Sequence, residues 1–189
     1  MALPPAVDLT GVDLTTEVVR TRRLVLRPYR PEDVDDVFRA CQDEEIQRWI
    51  PVPEPYTRED AVDFVTRHTV EARTTGAGLL SAVEAGGRFA GSAGLHFPQS
   101  LLGPGVGYWI APWARGQGYA AEAAAALAEW AIGHGAHRVH LLADVDNAPS
   151  QQAARRAGFR EEGRMRAALP YRDGRYGDAA LFSRLPGDR

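Results

Sequence analysis

The densest chemistry in the sequence lies in the run Gly107-Tyr108-Trp109-Ile110-Ala111-Pro112-Trp113-Ala114-Arg115-Gly116-Gln117-Gly118-Tyr119-Ala120. An apolar strand enters, Pro112 ends it, a glycine-rich turn follows, and an alanine-rich helix leaves. The first turn of such a helix carries N–H groups without intrahelical partners and a partial positive charge. Gly116 and Gly118 let a ligand approach the backbone closely, and Arg115 adds a cation with paired donors. A bare glycine pair serves a plain turn equally well. Strand, turn and helix together make an anion site suited to a pyrophosphate.

Other reactive side chains carry weaker patterns. His134, His137 and His140 are close in sequence, but Gly133 and Gly135 break any helix that would align them. They also lack a cysteine or carboxylate at a ligand spacing, so no metal is expected. Glu161 and Glu162 suit a solvated strand edge. Trp49, Tyr56 and Tyr171 fall in predicted loops, where aromatics line pockets or cover apolar surface. Cys41 is the only cysteine, so no intrachain disulfide forms and a reducing cytoplasm fits.

The elements that must hold these groups can be read from periodicity. With 189 residues, one domain is expected, residues 18–189, preceded by a loosely held arm over residues 1–17. Alternation predicts a half-buried strand over 18–29. Pro31-Glu32-Asp33 opens a helix, and a short second helix covers 43–49. Thr57, with Asp60 three residues on, predicts a capped helix reaching Thr74. Strands over 79–85 and 88–95 flank Gly86-Gly87, a tight-hairpin signature, and a third strand covers 105–110. A helix over 119–132 stops at Gly133 and Gly135. An apolar strand over 139–145, a short helix over 150–157 and strands over 159–165 and 178–185 complete a mixed α/β chain.

Composition narrows the function. The net charge of -3 and pI of about 6.0 give no general electrostatic case for nucleic acid. The start, Met1-Ala2-Leu3-Pro4-Pro5, lacks a basic region and a long apolar run, so it does not read as a secretory signal. The most apolar stretch, 120–132, carries Glu122 and Glu129 and is too short to span a membrane. All 22 basic residues are arginine, a composition that suggests a GC-rich bacterial genome.

The run Arg115-Gly116-Gln117-Gly118-Tyr119-Ala120 resembles the phosphate loop of the GNAT N-acetyltransferase superfamily. Asn147-Ala148-Pro149-Ser150 and Ala157-Gly158-Phe159 are similar to its later signatures. Thr21-Arg22-Arg23-Leu24-Val25-Leu26-Arg27 resembles the opening strand of the branch that acetylates ribosomal-protein N-termini. The resemblance covers residues 21–185. It implies a mostly antiparallel mixed sheet flanked by helices, with fourth and fifth strands splayed to admit acetyl-CoA. By position, the backbone of Trp109, Ile110 and Ala111 would pair with pantetheine, and the amides from Gly116 through Gln117, Gly118 and Tyr119 to Ala120 would hold the pyrophosphate, aided by Arg115. Asn147 would bind the pantetheine arm, and Ser150 would stand near the thioester sulfur. Asn147 and Ser150 equally suit a helix N-cap.

The implied reaction is direct attack of an amine, from a protein N-terminus or a small molecule, on the thioester. Strand N–H groups would stabilise the oxyanion, and Ser150 would protonate the leaving thiolate. Many relatives place a glutamate just before the glycine-tyrosine-tryptophan strand; here Gly105-Val106 stands there. His96, ending the third strand, is the first candidate for the base because imidazole titrates near neutrality. Glu162 and Tyr171 are weaker candidates. Homodimers are common in the branch. A non-catalytic acyl-CoA sensor is one alternative. A dinucleotide-binding oxidoreductase is another, since Gly116, Gly118 and Ala121 fit its glycine spacing and Asp144 ends the next strand.

Overall fold

The computed structural model describes residues 6–188. Two short strands, β1 (Val19–Arg20) and β2 (Leu24–Arg27), open it and pair antiparallel. Where the sequence predicts one strand, Thr21 N–H donates to the Leu24 carbonyl at 3.0 Å and folds the chain back. Helices α1 (Val34–Ala40) and α2 (Glu44–Trp49) follow. Next come α3 (Arg58–Asp63), a π turn (Phe64–His68) and α4 (Thr69–Thr74), one continuous helical path. Its start is the expected capping box: the Thr57 hydroxyl accepts from Asp60 N–H, and the Asp60 carboxylate accepts from Thr57 N–H. Strands β3 (Gly78–Ala85) and β4 (Arg88–His96) form a hairpin, and β5 (Gly105–Ile110) pairs antiparallel with β4. The rest is α5 (Tyr119–Gly133), β6 (Val139–Asp144), α6 (Ala148–Arg156), β7 (Arg160–Pro170) and β8 (Tyr176–Arg184).

The strands form one sheet in the order β1-β2-β3-β4-β5-β6-β8-β7. Among the described residues, β5–β6 is its one parallel pair. That pairing consists of Gly105 opposite His140, with His140 N–H donating to the Pro104 carbonyl at 2.9 Å. From Val106 onward the two strands part, leaving a V-shaped gap open at their C-terminal ends. The antiparallel majority is incompatible with the repeated parallel unit that the oxidoreductase alternative requires.

Each sheet face buries its own core. Val106, Leu95, Val139 and Leu141 pack with Leu127 and the buried alanines of α5. The opposite face carries Val37, Ile46, Val65, Phe89 and Ala111, with Trp109 packed against them. Strand side chains alternate between faces. Val106, Tyr108 and Ile110 of β5 therefore turn toward α5, whereas Gly105, Gly107 and Trp109 turn toward α1–α4.

Residues 6–17 correct the expectation of a loose arm; the first five lie outside the described residues. Val7 and Leu14 are buried in the α5-side core. Asp8 N–H donates to the His134 carbonyl at 2.7 Å. The buried Arg73 guanidinium donates to the Leu14 carbonyl, and to the Glu17 carbonyl at 3.1 Å. Two apolar anchors and a buried cation hold this segment, and neither leaves a periodic signal. Among the described residues, no helix is long and apolar enough to cross a membrane.

Candidate active site

The glycine turn is built as an anion cradle. Gly116 and Gly118 take φ of +77° and +76°, in the left-handed region that favours glycine. Gly118 is the N-cap of α5, and no side chain caps that terminus. Gly116, Gln117 and Gly118 are exposed, and Tyr119 and Ala120 half-buried. Their N–H groups stand at the positive end of a 15-residue helix beside the mouth of the gap.

A cation in direct contact with this cradle is Arg23, which local sequence did not single out. Its guanidinium donates to the Gln117 carbonyl at 2.9 Å and lies over the Tyr119 ring, 5.1 Å from the centroid. It also binds Glu122 in the first turn of α5, with Nε 2.6 Å from Oε2. Desolvation raises the Glu122 carboxyl, but hydrogen bonds from Thr21 and Arg23 prevail and hold it below its ordinary value. Arg23 thereby neutralises an acid that would repel an incoming phosphate. Arg115 points elsewhere. It binds Asp43, the N-cap of α2, at 2.5 and 3.2 Å, and reaches the Ile110 carbonyl at 3.3 Å.

The strand register corrects part of the expected backbone contact set. Ala111 N–H donates to Ala90 at 2.9 Å, and the Ala111 carbonyl accepts from Ala114 at 2.8 Å. Alternate residues of a strand direct their polar groups to the same side, so Trp109 also pairs toward β4. Neither Trp109 nor Ala111 has backbone groups free for a ligand. Tyr108 and Ile110 present theirs to the gap.

Asn147 and Ser150 sit at the start of α6, across the gap. The Asn147 side chain accepts from Ser150 N–H at 3.0 Å and is the N-cap. The Ser150 hydroxyl is therefore free of capping duty. It lies 3.2 Å from the hydroxyl of Tyr108, which also donates to the Ser150 carbonyl at 3.0 Å. Burial pushes the Tyr108 phenol above its ordinary value despite that hydroxyl contact, so it is a neutral donor at pH 7. The motif contains Tyr108, but only the fold shows that its side chain crosses the gap.

A domain model described as "Acetyltransferase (GNAT) domain" matches residues 23–160, well over half of the sequence. The chain belongs to this GNAT acetyltransferase family. It is 25% identical over 153 residues to an uncharacterized N-acetyltransferase, YnaD, of Bacillus subtilis (strain 168), covering 80% of this chain and 88% of that protein. Among solved structures, it matches a ribosomal L7/L12 α-N-protein acetyltransferase, RimL, in complex with coenzyme A. That match has a TM-score of 0.78 and 23% identity, over 89% of this chain and 98% of that one. RimJ of Mycobacterium smegmatis, in complex with a CoA disulfide, matches with a TM-score of 0.77 and 22% identity over 96% and 89% of the two chains. The mostly antiparallel sheet with splayed central strands is the GNAT fold expected from the motifs.

The other face of this GNAT domain's gap holds groups that the motifs do not mark. His96 ends β4 opposite Gly105. Desolvation, then the nearby His68 and His140, hold its imidazole below the ordinary value although the residue reaches the surface. Asp144 accepts a short hydrogen bond from the Tyr171 hydroxyl; that contact, followed by desolvation, raises the Tyr171 phenol. Glu162 is tied to Arg138 at 2.8 Å and to Ser183, so it is not free to act as a base. Among the three neighbouring histidines, His134 stacks on Trp130 at 4.1 Å, while His140 turns into the sheet beside Gly105. Among the described residues, no group of three or more His, Cys, Asp or Glu is placed to hold a metal ion.

Proposed function

We propose that this GNAT enzyme transfers an acetyl group from acetyl-CoA to a primary amine, either a protein N-terminus or a small molecule, in a bacterial cytoplasm. One observation carries the donor assignment: an uncapped helix N-terminus with two left-handed glycines stands at the mouth of a gap between parallel strands. That arrangement suits a diphosphate whose arm continues between the strands. Relatives described with bound CoA support the same reading.

In this reading the amides from Gly116 to Ala120 hold the pyrophosphate. Ile110 N–H and the Asn147 side-chain NH₂ bind the pantetheine arm. A neutral amine attacks the thioester carbon, gap-facing N–H groups stabilise the oxyanion, and the C–S bond breaks. Ser150 protonates the thiolate.

The test has two parts. CoA should raise the melting temperature at concentrations where NAD does not. A panel containing a serine-initiated peptide amide and spermidine should then release free CoA from acetyl-CoA with at least one amine. Stabilisation by NAD alone would refute the donor; binding of CoA without turnover of any amine would favour a sensor.

A further inference from the structure

The apex of the gap brings two histidines together over a glycine. His96 is opposite Gly105 across the β4–β5 ladder, and Gly105 is opposite His140 across the β5–β6 contact. Residues directly opposite one another share a face, so both imidazoles stand on the α1–α4 face with no side chain between them. A Cβ added at Gly105 would lie 2.9 Å from Cε1 and 3.1 Å from Nε2 of His140. The His140 ring thus occupies the space that any larger residue at 105 would fill.

Its orientation is fixed. Nδ1 is 3.1 Å from the Leu102 carbonyl. A carbonyl only accepts, so this contact places the proton on Nδ1 and leaves Nε2 with a free lone pair above Gly105. An imidazole held by an acceptor on one nitrogen and open on the other has the form of an oriented base. The site also lies where it is needed. β5 spans roughly 17 Å from Ile110 to Gly105 at about 3.4 Å per residue. An extended arm that starts at the phosphate loop and follows β5 is directed at this apex.

We propose that His140 is the general base that removes the amine proton, with His96 as the positioning residue beside it. This rests on the acyl-transfer reading above. The amine nitrogen forms the new bond to the thioester carbon, and its proton passes to Nε2 of His140, directly or through one water. The C–S pair leaves with sulfur, Ser150 supplies the thiolate proton, and solvent then discharges His140 and recharges Ser150. Desolvation, opposed by the carbonyls of Leu102, Gly103 and Pro104, holds the His140 imidazole below its ordinary value, with Arg138 lowering it further. The charged or titratable groups facing it are His96 on β4, which itself faces His68 of the π turn, and Arg138 before β6, the last paired with Glu162 of β7. His140 is therefore neutral at pH 7, and kcat/KM should rise with pH through its titration.

The experiment uses the full chain, acetyl-CoA, and the serine-initiated peptide amide and spermidine as acceptors. His140→Asn and His140→Gln should each bind CoA like the wild type, lose on the order of 100-fold in kcat/KM, and lose the acidic limb of the pH profile. Gly105→Ala, which leaves the imidazole present but displaces it, should lose turnover while keeping CoA affinity. In the wild type, nitrogen NMR should show the Nδ1-protonated tautomer at pH 7. Wild-type turnover with an unchanged rate and acidic limb in the His140 variants would overturn the base while sparing acyl transfer. The Nε2-protonated tautomer would do the same. A wild type that acetylates neither amine would overturn both.

Discussion

At the open end of the β5–β6 gap, the groups offered to a ligand are main-chain N–H groups between Gly116 and Ala120. At the apex they are the imidazoles of His96 and His140. The first set needs only two glycines in the left-handed region and a helix behind them, all within a few consecutive residues. The second set depends on three strands lying in register, because His96, Gly105 and His140 are distant in sequence and adjacent only through pairing. Backbone chemistry is encoded locally; side-chain chemistry at a strand junction is encoded by topology. The two ends also differ in electrostatics. The open end is solvated and stands at the positive end of α5, with Arg23 cancelling Glu122. The apex is partly desolvated and keeps its titratable groups neutral.

Ser150, between these ends, gives the largest expected effect besides loss of the proposed base. Ser150→Ala should lower kcat on the order of 100-fold, the low end for general acid catalysis because a thiolate leaves readily. Its melting temperature should hardly change, because Asn147 caps α6. Asn147→Ala should behave oppositely in stability, costing about 1 kcal/mol. Both quantities are read on one preparation of each variant. An unchanged kcat in Ser150→Ala leaves the thiolate to solvent.

A smaller loss should follow from disturbing the phosphate loop. A Cβ at Gly118 would meet nothing closer than the Arg23 guanidinium at 3.7 Å, so space is available and the cost is conformational. Gly118→Val forces a β-branched residue to a φ of +76°, a strain of about 1–3 kcal/mol. Relief of that strain by reshaping the loop should weaken CoA roughly 10- to 100-fold, read by calorimetry on folded protein. Wild-type affinity would mean that the loop does not carry the phosphates. Smaller still, Arg23→Ala should weaken CoA about 2- to 5-fold by baring Glu122 at the helix start. Arg115→Ala should do less, since Arg115 is engaged by Asp43. The reverse order would return the phosphate role to Arg115.

The contrast between the ends also explains what could be read without coordinates. The capping box of Thr57 and Asp60, the hairpin at Gly86-Gly87, the bounds of β5 and the start of α5 are local features, and each stands where its residues place it. The β1–β2 hairpin was hidden because its turn, Thr21-Arg22-Arg23, carries no glycine, proline, asparagine or aspartate to mark it. The π turn inside the α3–α4 path has no periodic signature. The segment of Leu14 is held by Arg73, far along the chain, and Val7 by the α5-side core. At the site, the motif sets Ile110 at the end of β5, Gly118 before α5 and Ser150 in the first turn of α6. It could not show that Trp109 and Ala111 spend their polar groups on β4, that Tyr108 reaches Ser150, or that His140 rather than His134 turns to Gly105. Each depends on which strand lies alongside which.

The smallest effect should come from the pair that ties the phosphate loop to α2. The Arg115 hydrogen bonds, opposed by some desolvation and aided by the α2 backbone N–H groups, hold the Asp43 carboxyl below the usual carboxylate range. A carboxyl depressed in the folded state adds stability above its unfolded value, near 3.9. That stability is lost as pH falls through the folded value. Arg115 is 39% exposed, so solvent screening keeps the pair below about 1 kcal/mol. Asp43→Asn preserves an N-cap side chain for α2 but removes the charge. At pH 7 it should melt slightly below the wild type, and the two should converge in acid once Asp43 is protonated. With Arg115 released toward the loop, CoA affinity at pH 7 should hold or rise slightly, opposite in sign to Gly118→Val. A stability gap that persists unchanged well below the unfolded carboxylate value would assign the effect to the cap and leave the Arg115 pair without thermodynamic weight. A fall in CoA affinity would instead show that Asp43 holds Arg115 in its working position.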